Sequence, residues 1–214
     1  MSTCFIITAY MNGQVRDIIP PSAMDYIICA DGGYKFAQLE GIEPNLLIGD
    51  FDSFSLTLPE GIPAISFPIE KDDTDTLLCI KYAAEKDFDE ICLIGGMGGR
   101  LDHTVSNLQS MAWAVNFWEK SQIKGKKICM SDCQNEVTMI TNDTLKISGV
   151  PGEKISLISY SDNCINVTTK NLKWELTKAH LTNSFPLGIS NEFLTSECEV
   201  SVEDGLLLIV RSKD

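Results

Sequence analysis

The stretch Ile91-Cys92-Leu93-Ile94-Gly95-Gly96-Met97-Gly98-Gly99-Arg100 decides the fold class. Its first four residues form a short apolar run, the pattern of a strand buried on both faces, and the glycines then indicate a loop. Apolar residues recur at helical spacing from Leu101 to about Glu119, with one face formed by Leu108, Met111, Ala112 and Val115. A buried strand, a loop and an amphipathic helix in this order are typical of a parallel sheet covered by helices.

The same alternation runs through the first part of the chain. Strand-like apolar runs occupy Cys4–Ala9, Tyr26–Ala30, Leu46–Ile48 and Ala64–Phe67. Helical patterns occupy Tyr34–Glu40 and Thr74–Lys86, and Asp72 or Asp73 is the expected N-cap of the second helix. We therefore predict a Rossmann-like α/β domain with a mostly parallel sheet at residues 1–130.

The pattern changes after Lys126. Short β-rich segments follow, separated by turn residues, and Asp204-Gly205 is a dipeptide that favours a hairpin. No helical periodicity of useful length is visible there, so we predict a small antiparallel, all-β sandwich or barrel at residues 131–214.

Composition limits the possible partners. The formal net charge of the 214 residues is −13, which argues against duplex nucleic acid or an anionic membrane as the main partner. No apolar run approaches the roughly 18 residues of a membrane span, and the N-terminal residues lack a signal-peptide pattern. The eight cysteines, several of them inside apolar runs, read as reduced, buried thiols. These features predict a cytoplasmic protein.

Acidic and glycine-rich clusters follow the predicted strands. They are Asp31-Gly32-Gly33, Gly49-Asp50-Phe51-Asp52-Ser53, Lys71-Asp72-Asp73-Thr74-Asp75-Thr76 and Gly95-Gly96-Met97-Gly98-Gly99-Arg100-Leu101-Asp102-His103. The carboxyl ends of parallel strands meet at one edge of a sheet, where ligands bind. Carboxylates gathered there repel one another unless a cation lies between them, so the clusters indicate a divalent metal with a polyphosphate.

Each cluster also has an ordinary structural explanation. Asp50 and Asp52 can share Mg²⁺, but two aspartates at this spacing also occur in solvated turns. The acids near Lys71 can stabilise a helix N-terminus, although this accounts less well for the lysine itself. The glycine loop suits a phosphate, and Arg100 suits a bidentate phosphate contact. His103 and Asn107 share one helix face, where a lone histidine is often a structural hydrogen-bonding residue.

Taken together, the clusters predict Mg²⁺-assisted transfer from a nucleoside triphosphate. In order along the chain, with Leu172-Lys173-Trp174-Glu175-Leu176 and Gly188-Ile189-Ser190-Asn191-Glu192-Phe193, they resemble the thiamin pyrophosphokinase family. The resemblance implies that ATP and thiamin give AMP and thiamin diphosphate. It also implies an N-terminal α/β domain, a C-terminal β-sandwich, and a homodimer with sites between subunits.

The resemblance further implies roles for individual residues. Mg²⁺ would be handled by Asp50, Asp52 and Asp75, and the catalytic set would be Asp72, Asp75, Arg100 and Asp102. The nucleotide and its phosphates would meet Lys71, Thr74, Arg100, His103 and Asn107. Thiamin would meet Asp31, Trp174, Ser190 and Asn191.

Some of these residues also fit other interpretations. Trp174 alone also fits a place in the sandwich core, and Ser190-Asn191 alone fits a turn. A metal-dependent phosphohydrolase using the same aspartates, or a non-catalytic sensor of nucleotide or thiamin, is the competing function.

Overall fold

The chain divides into two units, Met1–Cys133 and Gln134–Asp214. A parallel sheet forms the centre of the first unit. The structure, a computed structural model, describes residues 2–19, 25–51 and 60–213. The strands of the first unit are β1 (Thr3–Ile7), β2 (Tyr26–Ala30), β3 (Leu46–Gly49), β4 (Ala64–Ser66), β5 (Glu90–Ile94) and β6 (Lys127–Ser131). They pair in the order β6-β5-β1-β2-β3-β4, and every adjacent pair is parallel. The predicted parallel sheet is therefore confirmed.

Helices cover both faces of this sheet. They are α1 (Val15–Ile18), α2 (Tyr34–Leu39), α3 (Asp75–Ala84) and α4 (Leu101–Lys120). One apolar cluster joins α1 and α2 to strand residues such as Ile7, Cys29 and Leu47, whereas α3 contacts β1, β2, β3 and β5. Within the described ranges, none of these helices has the length and hydropathy needed to cross a membrane.

The last strand of this sheet was not assigned from the sequence. β6 pairs in parallel with β5 along its whole length, from Lys127 opposite Glu90 to Ser131 opposite Ile94. Its short apolar core, Ile128 to Met130, is buried. The change of pattern seen after Lys126 is therefore the final strand of the α/β sheet, and the antiparallel strands begin after it.

Two antiparallel groups of strands form the second unit. The strands are β7 (Asn135–Ile140), β8 (Asp143–Ser148), β9 (Lys154–Ser159), β10 (Asn163–Lys170), β11 (Ala179–Thr182), β12 (Gly188–Glu192), β13 (Glu197–Val202) and β14 (Leu207–Ser212). One group pairs in the order β12-β9-β14-β7 and the other in the order β11-β10-β13-β8. Both contribute to one buried cluster that includes Leu157, Val167, Phe193 and Val200. This arrangement confirms the predicted β-sandwich.

The hairpin predicted at Asp204-Gly205 is wrong. The strands on either side, β13 and β14, belong to different groups, so the turn carries the chain from one sheet to the other. Gly205 has a φ of 91°, and an added Cβ would lie 2.1 Å from the carbonyl oxygen of Asn163. The dipeptide indicated a glycine-specific backbone correctly, but that conformation serves a crossing between sheets as well as a hairpin.

All eight cysteines are free thiols, and seven of them are buried. Burial raises the pKa of Cys4 and Cys29 to about 12, so these thiols stay protonated and act as small apolar side chains. Cys133 is exposed.

Candidate active site

Three aspartates converge at the carboxyl edge of the parallel sheet. Asp31 follows β2 directly, Asp50 follows the neighbouring strand β3, and Asp75 is the first residue of α3. Each offers a carboxylate oxygen, and these oxygens lie within 4.8 Å of one another. Oxygen ligands at this spacing suit a divalent cation such as Mg²⁺. The acid triad could therefore bind a metal ion.

Two glycines allow the turn that carries Asp31 to pack closely against the ends of β1 and β3. A Cβ added to Gly49 would lie 3.0 Å from the Cα of Asp31, and one added to Gly33 would lie 2.1 Å from the carbonyl oxygen of Ile7. Asp31 itself has a φ of 40°, in the left-handed region that non-glycine residues seldom adopt. The turn after β2 thus holds a strained aspartate against the end of β3.

Lys71 supplies a cation to the triad. Its Nζ lies 2.7 Å from Asp50 Oδ2 and 3.0 Å from Asp75 Oδ1. Burial lowers the pKa of Lys71, but the contacts with the two carboxylates raise it by more, so the net shift is upward. The site therefore holds a charged ammonium among ionisable carboxyl groups.

Two carboxylate oxygens remain incompletely satisfied. Among the described residues, buried Asp31 Oδ1 has no hydrogen-bond donor, and buried Asp75 Oδ1 has its ion pair with Lys71 but no well-aligned hydrogen bond. Burial raises the pKa of Asp75, and the contact with Lys71 opposes this rise without cancelling it. Buried carboxylate oxygens that lack donors are expected in a site that binds a cation.

The start of α3 differs from the sequence prediction. Thr74 is the N-cap, and its Oγ1 accepts a hydrogen bond from the backbone N of Leu77 at 3.2 Å. Asp72 lies exposed before the helix, and Asp73 pairs with Lys81 at 2.6 Å. The prediction of Asp72 or Asp73 as the cap is wrong, because the helix begins at Asp75, one residue later than predicted. Asp75 therefore lies in its first turn. Asp52, the remaining predicted metal ligand, lies outside the described residues.

Backbone N–H groups of the glycine loop after β5 form hydrogen bonds within the protein. The N–H of Gly95 donates to Ser131 O at 2.8 Å, that of Gly96 to Tyr10 O at 2.8 Å, and that of Gly98 to Thr104 Oγ1 at 3.1 Å. These three donors are already engaged, so the expectation that the loop offers them to a phosphate does not hold in this conformation.

Asn107 positions this loop from inside the fold. The residue is buried, and its Nδ2 donates to Gly96 O at 2.9 Å. Thr8 and Tyr10, which follow β1, also contact the loop: Thr8 Oγ1 donates to Ile94 O, and the Tyr10 ring lies where a side chain at Gly99 would fall. Sequence reasoning missed these two residues and Thr104. The sequence carries only an indirect signal: the apolar run Cys4–Ala9 predicts a parallel strand whose carboxyl end lies at the ligand-binding edge, but no motif marks Thr8 or Tyr10.

Arg100 and Asp102 form an exposed two-point ion pair. Arg100 Nε lies 3.1 Å from Asp102 Oδ1, and its second nitrogen lies 2.6 Å from Asp102 Oδ2. The hydrogen bonds from Arg100 lower the pKa of Asp102, and the carboxylate in turn raises the pKa of Arg100. His103 is exposed, and its backbone N donates to Asp102 Oδ1. Arg100 and Asp102 are therefore charged and accessible at the start of α4.

In the second unit, Trp174 is presented to solvent. The side chain is 54% exposed, so its alternative placement in the sandwich core is wrong. Lys173 Nζ lies 4.6 Å from the centre of the Trp174 ring, within cation–π range. Buried Asn191 hydrogen-bonds both the backbone N and the backbone O of Trp174.

Ser190 and Asn191 lie in an irregular strand rather than in a turn. Both belong to β12, whose register against β9 shifts between Gly188 and Asn191. Exposed Ser190 has a φ of 60°, and its backbone N donates to Ser156 Oγ at 3.0 Å. The bulge turns Asn191 inward towards the backbone of Trp174 and leaves the Ser190 side chain outside.

Comparison with known proteins identifies the family. Residues 21–124 match the model of the thiamin pyrophosphokinase catalytic domain, and residues 138–207 match that of the thiamin pyrophosphokinase vitamin B1 binding domain. A thiamine pyrophosphokinase of Bacillus subtilis (strain 168) is 33% identical over 180 residues, which cover 81% of each chain. The chain belongs to the thiamin pyrophosphokinase family. The family, the enzyme class and the pyrophosphokinase activity predicted from the sequence are thereby confirmed.

Solved structures of the family share the fold. A crystal structure of thiamine pyrophosphokinase from Bacillus subtilis superposes with a TM-score of 0.84 at 28% identity, covering 99% of both chains. Yeast thiamin pyrophosphokinase has a TM-score of 0.76 at 18% identity, covering 99% of this chain and 86% of that one, and at this identity it supports the fold alone. The α/β unit followed by a β-rich unit is the architecture of the family.

Proposed function

We propose that this enzyme transfers a diphosphoryl group from ATP to the hydroxyl of thiamin, with Mg²⁺, giving thiamin diphosphate and AMP. The observation that carries the proposal is the triad of Asp31, Asp50 and Asp75 around Lys71, inside the segment that matches the catalytic domain. Diphosphoryl transfer needs positioning and charge neutralisation more than a covalent nucleophile. An acid cluster with an adjoining cation meets both needs.

The residues present fit a magnesium ion. All three residues of the triad offer carboxylate oxygens, and the buried Asp31 Oδ1 lacks a hydrogen-bond donor among the described residues. We propose that Asp50, Asp52 and Asp75 hold Mg²⁺. We also propose Asp31, for which the family resemblance implies a thiamin contact, as a further ligand, because its carboxylate lies beside those of Asp50 and Asp75. When bound, Mg²⁺ supplies positive charge to the polyphosphate oxygens and fixes their orientation. Asp31 would then border both the metal and any substrate that approaches the edge of the sheet.

Cationic and polar side chains would bind the nucleotide. Lys71 and Arg100 would contact phosphate oxygens. Arg100 is exposed, so its guanidinium would be able to exchange Asp102 for a phosphate. Asp102 would then orient the guanidinium, and Asp72 would lie at the rim as an accessible carboxylate. Thr74 and His103 would line the site from the starts of α3 and α4. Asn107 would act by holding Gly96 in place.

Thiamin would be bound by an exposed aromatic ring. The thiazolium of thiamin is cationic, and the exposed face of Trp174 already attracts the Lys173 ammonium. Ser190 offers an accessible hydroxyl, and Asn191 would contribute by fixing the main chain of Trp174. We also propose that the enzyme is a cytoplasmic homodimer with its sites between subunits.

The decisive test is the nucleotide product. The protein is incubated with ATP and Mg²⁺, with and without thiamin, and nucleotides and thiamin esters are separated by chromatography. Thiamin-dependent AMP in equal amount to thiamin diphosphate supports the proposal. Phosphate release without thiamin would indicate a phosphohydrolase, and binding of both ligands without turnover would indicate a sensor.

A further inference from the structure

Lys71 occupies an unusual place for a lysine. Its side chain is only 14% exposed, although lysine ammonium groups normally remain in water. The ammonium lies at contact distance from two of the three triad carboxylates, at 2.7 Å from Asp50 and 3.0 Å from Asp75. Both carboxylates are themselves largely shielded, with exposures of 13% and 24%. The ammonium is therefore part of the acid cluster and not a surface charge beside it.

One ammonium does not balance this cluster. Three carboxylates converge, and Asp31 Oδ1 has no donor within the part of the chain that the structure describes. In a shielded site, charges interact strongly and repulsion between carboxylates is costly. Lys71 thus reduces the repulsion only in part, and the remaining negative charge attracts a further cation.

A metal ion and the ammonium compete for the same carboxylates. A divalent cation held by Asp50 and Asp75 would lie close to Lys71 Nζ, and two cations so placed repel each other. The ammonium sits on a flexible four-carbon stem, so it can leave while the carboxylates stay fixed at the sheet edge and the helix start.

We propose that Lys71 is a resident counter-ion that stabilises the metal-free triad, is displaced when the metal binds, and then contacts the diphosphate group. This inference rests on the proposed function for its metal site, and it adds a second role for Lys71 before ATP arrives. Its measurable consequence is that Lys71 weakens the binding of metal alone.

The test is metal affinity in the absence of ATP and thiamin. Mn²⁺ serves as the probe at pH 7.5, and free Mn²⁺ is measured by electron paramagnetic resonance for the wild type, K71M, K71R and K81M. We expect K71M, similar to lysine in volume but uncharged, to bind Mn²⁺ at least about tenfold more tightly than the wild type. K71R keeps the charge and should remain near the wild type. K81M removes the ion pair with Asp73, outside the triad, and should leave the affinity unchanged.

The outcomes separate this proposal from the proposed function. Binding to the wild type that D75N abolishes, together with equal or weaker binding by K71M, would overturn the counter-ion role and keep the metal site. No binding to either the wild type or K71M would overturn both. Should K71M fail to fold, nitrogen-15 correlation spectra of the lysine ammonium groups take its place, with Lys71 assigned by its loss in K71R. In this experiment Mg²⁺ is added in place of Mn²⁺. A Lys71 signal that does not shift as Mg²⁺ saturates the protein would contradict displacement of the ammonium by the metal.

Discussion

Asn191 hydrogen-bonds both backbone polar groups of Trp174. Its Oδ1 accepts from the Trp174 N at 3.0 Å, and its Nδ2 donates to the Trp174 O at 2.7 Å. The same Oδ1 accepts from the N of Glu192 at 2.9 Å. A buried side chain 17 residues further along the chain thus fixes the main chain that carries an exposed indole.

Replacing Asn191 by alanine should therefore lower both stability and thiamin affinity. Because buried partners lose their hydrogen bonds, we expect the free energy of unfolding to fall by about 1–3 kcal/mol. The matched control is N183A, since Asn183 also donates from Nδ2, to Asp162, but is exposed. Urea unfolding compares the variants, and a loss in N183A as large as that in N191A would count against burial as the cause.

Removing the Trp174 ring should affect thiamin more than ATP. We expect W174A to raise the KM for thiamin about tenfold, the effect of losing between 1 and 2 kcal/mol of cation–π and contact energy. W174F should fall between W174A and the wild type, because phenylalanine is the weaker cation–π partner. Steady-state kinetics with each substrate varied gives the answer, and equal rises in both KM values would indicate general destabilisation.

Asp75→Asn should abolish turnover while the protein stays folded. The amide keeps the volume of the carboxylate but removes a charge from the proposed metal site, and we expect kcat to drop at least about a hundredfold. D73N is the control, because Asp73 pairs with Lys81 outside the triad. AMP formation and circular dichroism are measured for both variants. Normal turnover by D75N would show that the metal assignment is wrong.

Gly96→Ala should disrupt the loop through Asn107. Gly96 has a φ of 77°, and an added Cβ would lie 2.6 Å from Asn107 Nδ2. Gly41 has a φ of 63° with nothing within 4 Å, so G41A isolates the conformational cost, about 1–2 kcal/mol. We expect G96A to lose more stability than G41A and also to lose activity. Similar losses of stability in both variants would mean that the contact between position 96 and Asn107 does not contribute to stability.

Lowering the pH should reduce the stability of the protein through protonation of Glu192. Hydrogen bonds from Lys154 and Lys173 lower the pKa of Glu192 to about 2 from 4.5. A carboxyl group whose pKa is depressed on folding stabilises the protein above its unfolded pKa, and this contribution is lost as the pH falls. Stability should therefore decrease between about pH 4.5 and 2, and less steeply in E192Q. Thermal unfolding across this range tests the slope, and parallel curves for both proteins would rule out this carboxylate.

Much of the acid site was readable from the sequence because strand topology brings separated residues together. Asp31 and Asp50 directly follow buried apolar runs, and neighbouring parallel strands end at one edge. The placement of Asp75 beside them follows from the helix that begins there. The assignment of each residue's role goes beyond the geometry and stays a prediction, including that of Asp52.

Other features depend on contacts that no local pattern encodes. The ion pairs of Lys71 with Asp50 and Asp75 require the segment after β4 to approach the carboxyl end of β3. Asn191 resembles a turn residue in sequence, and only the bulge in β12 directs it towards Trp174. Thr8 and Tyr10 lack a recognisable motif, so their contacts with the glycine loop emerge only from the sheet order.

The distribution of thiols has a practical consequence. All eight cysteines fall in the described residues, and Cys133 is the one that is exposed. A maleimide dye added to the native wild-type protein should therefore attach at a single position, without any engineered cysteine. The labelled enzyme would be ready for fluorescence measurements of metal and substrate binding, and mass spectrometry would confirm that one dye is present per chain.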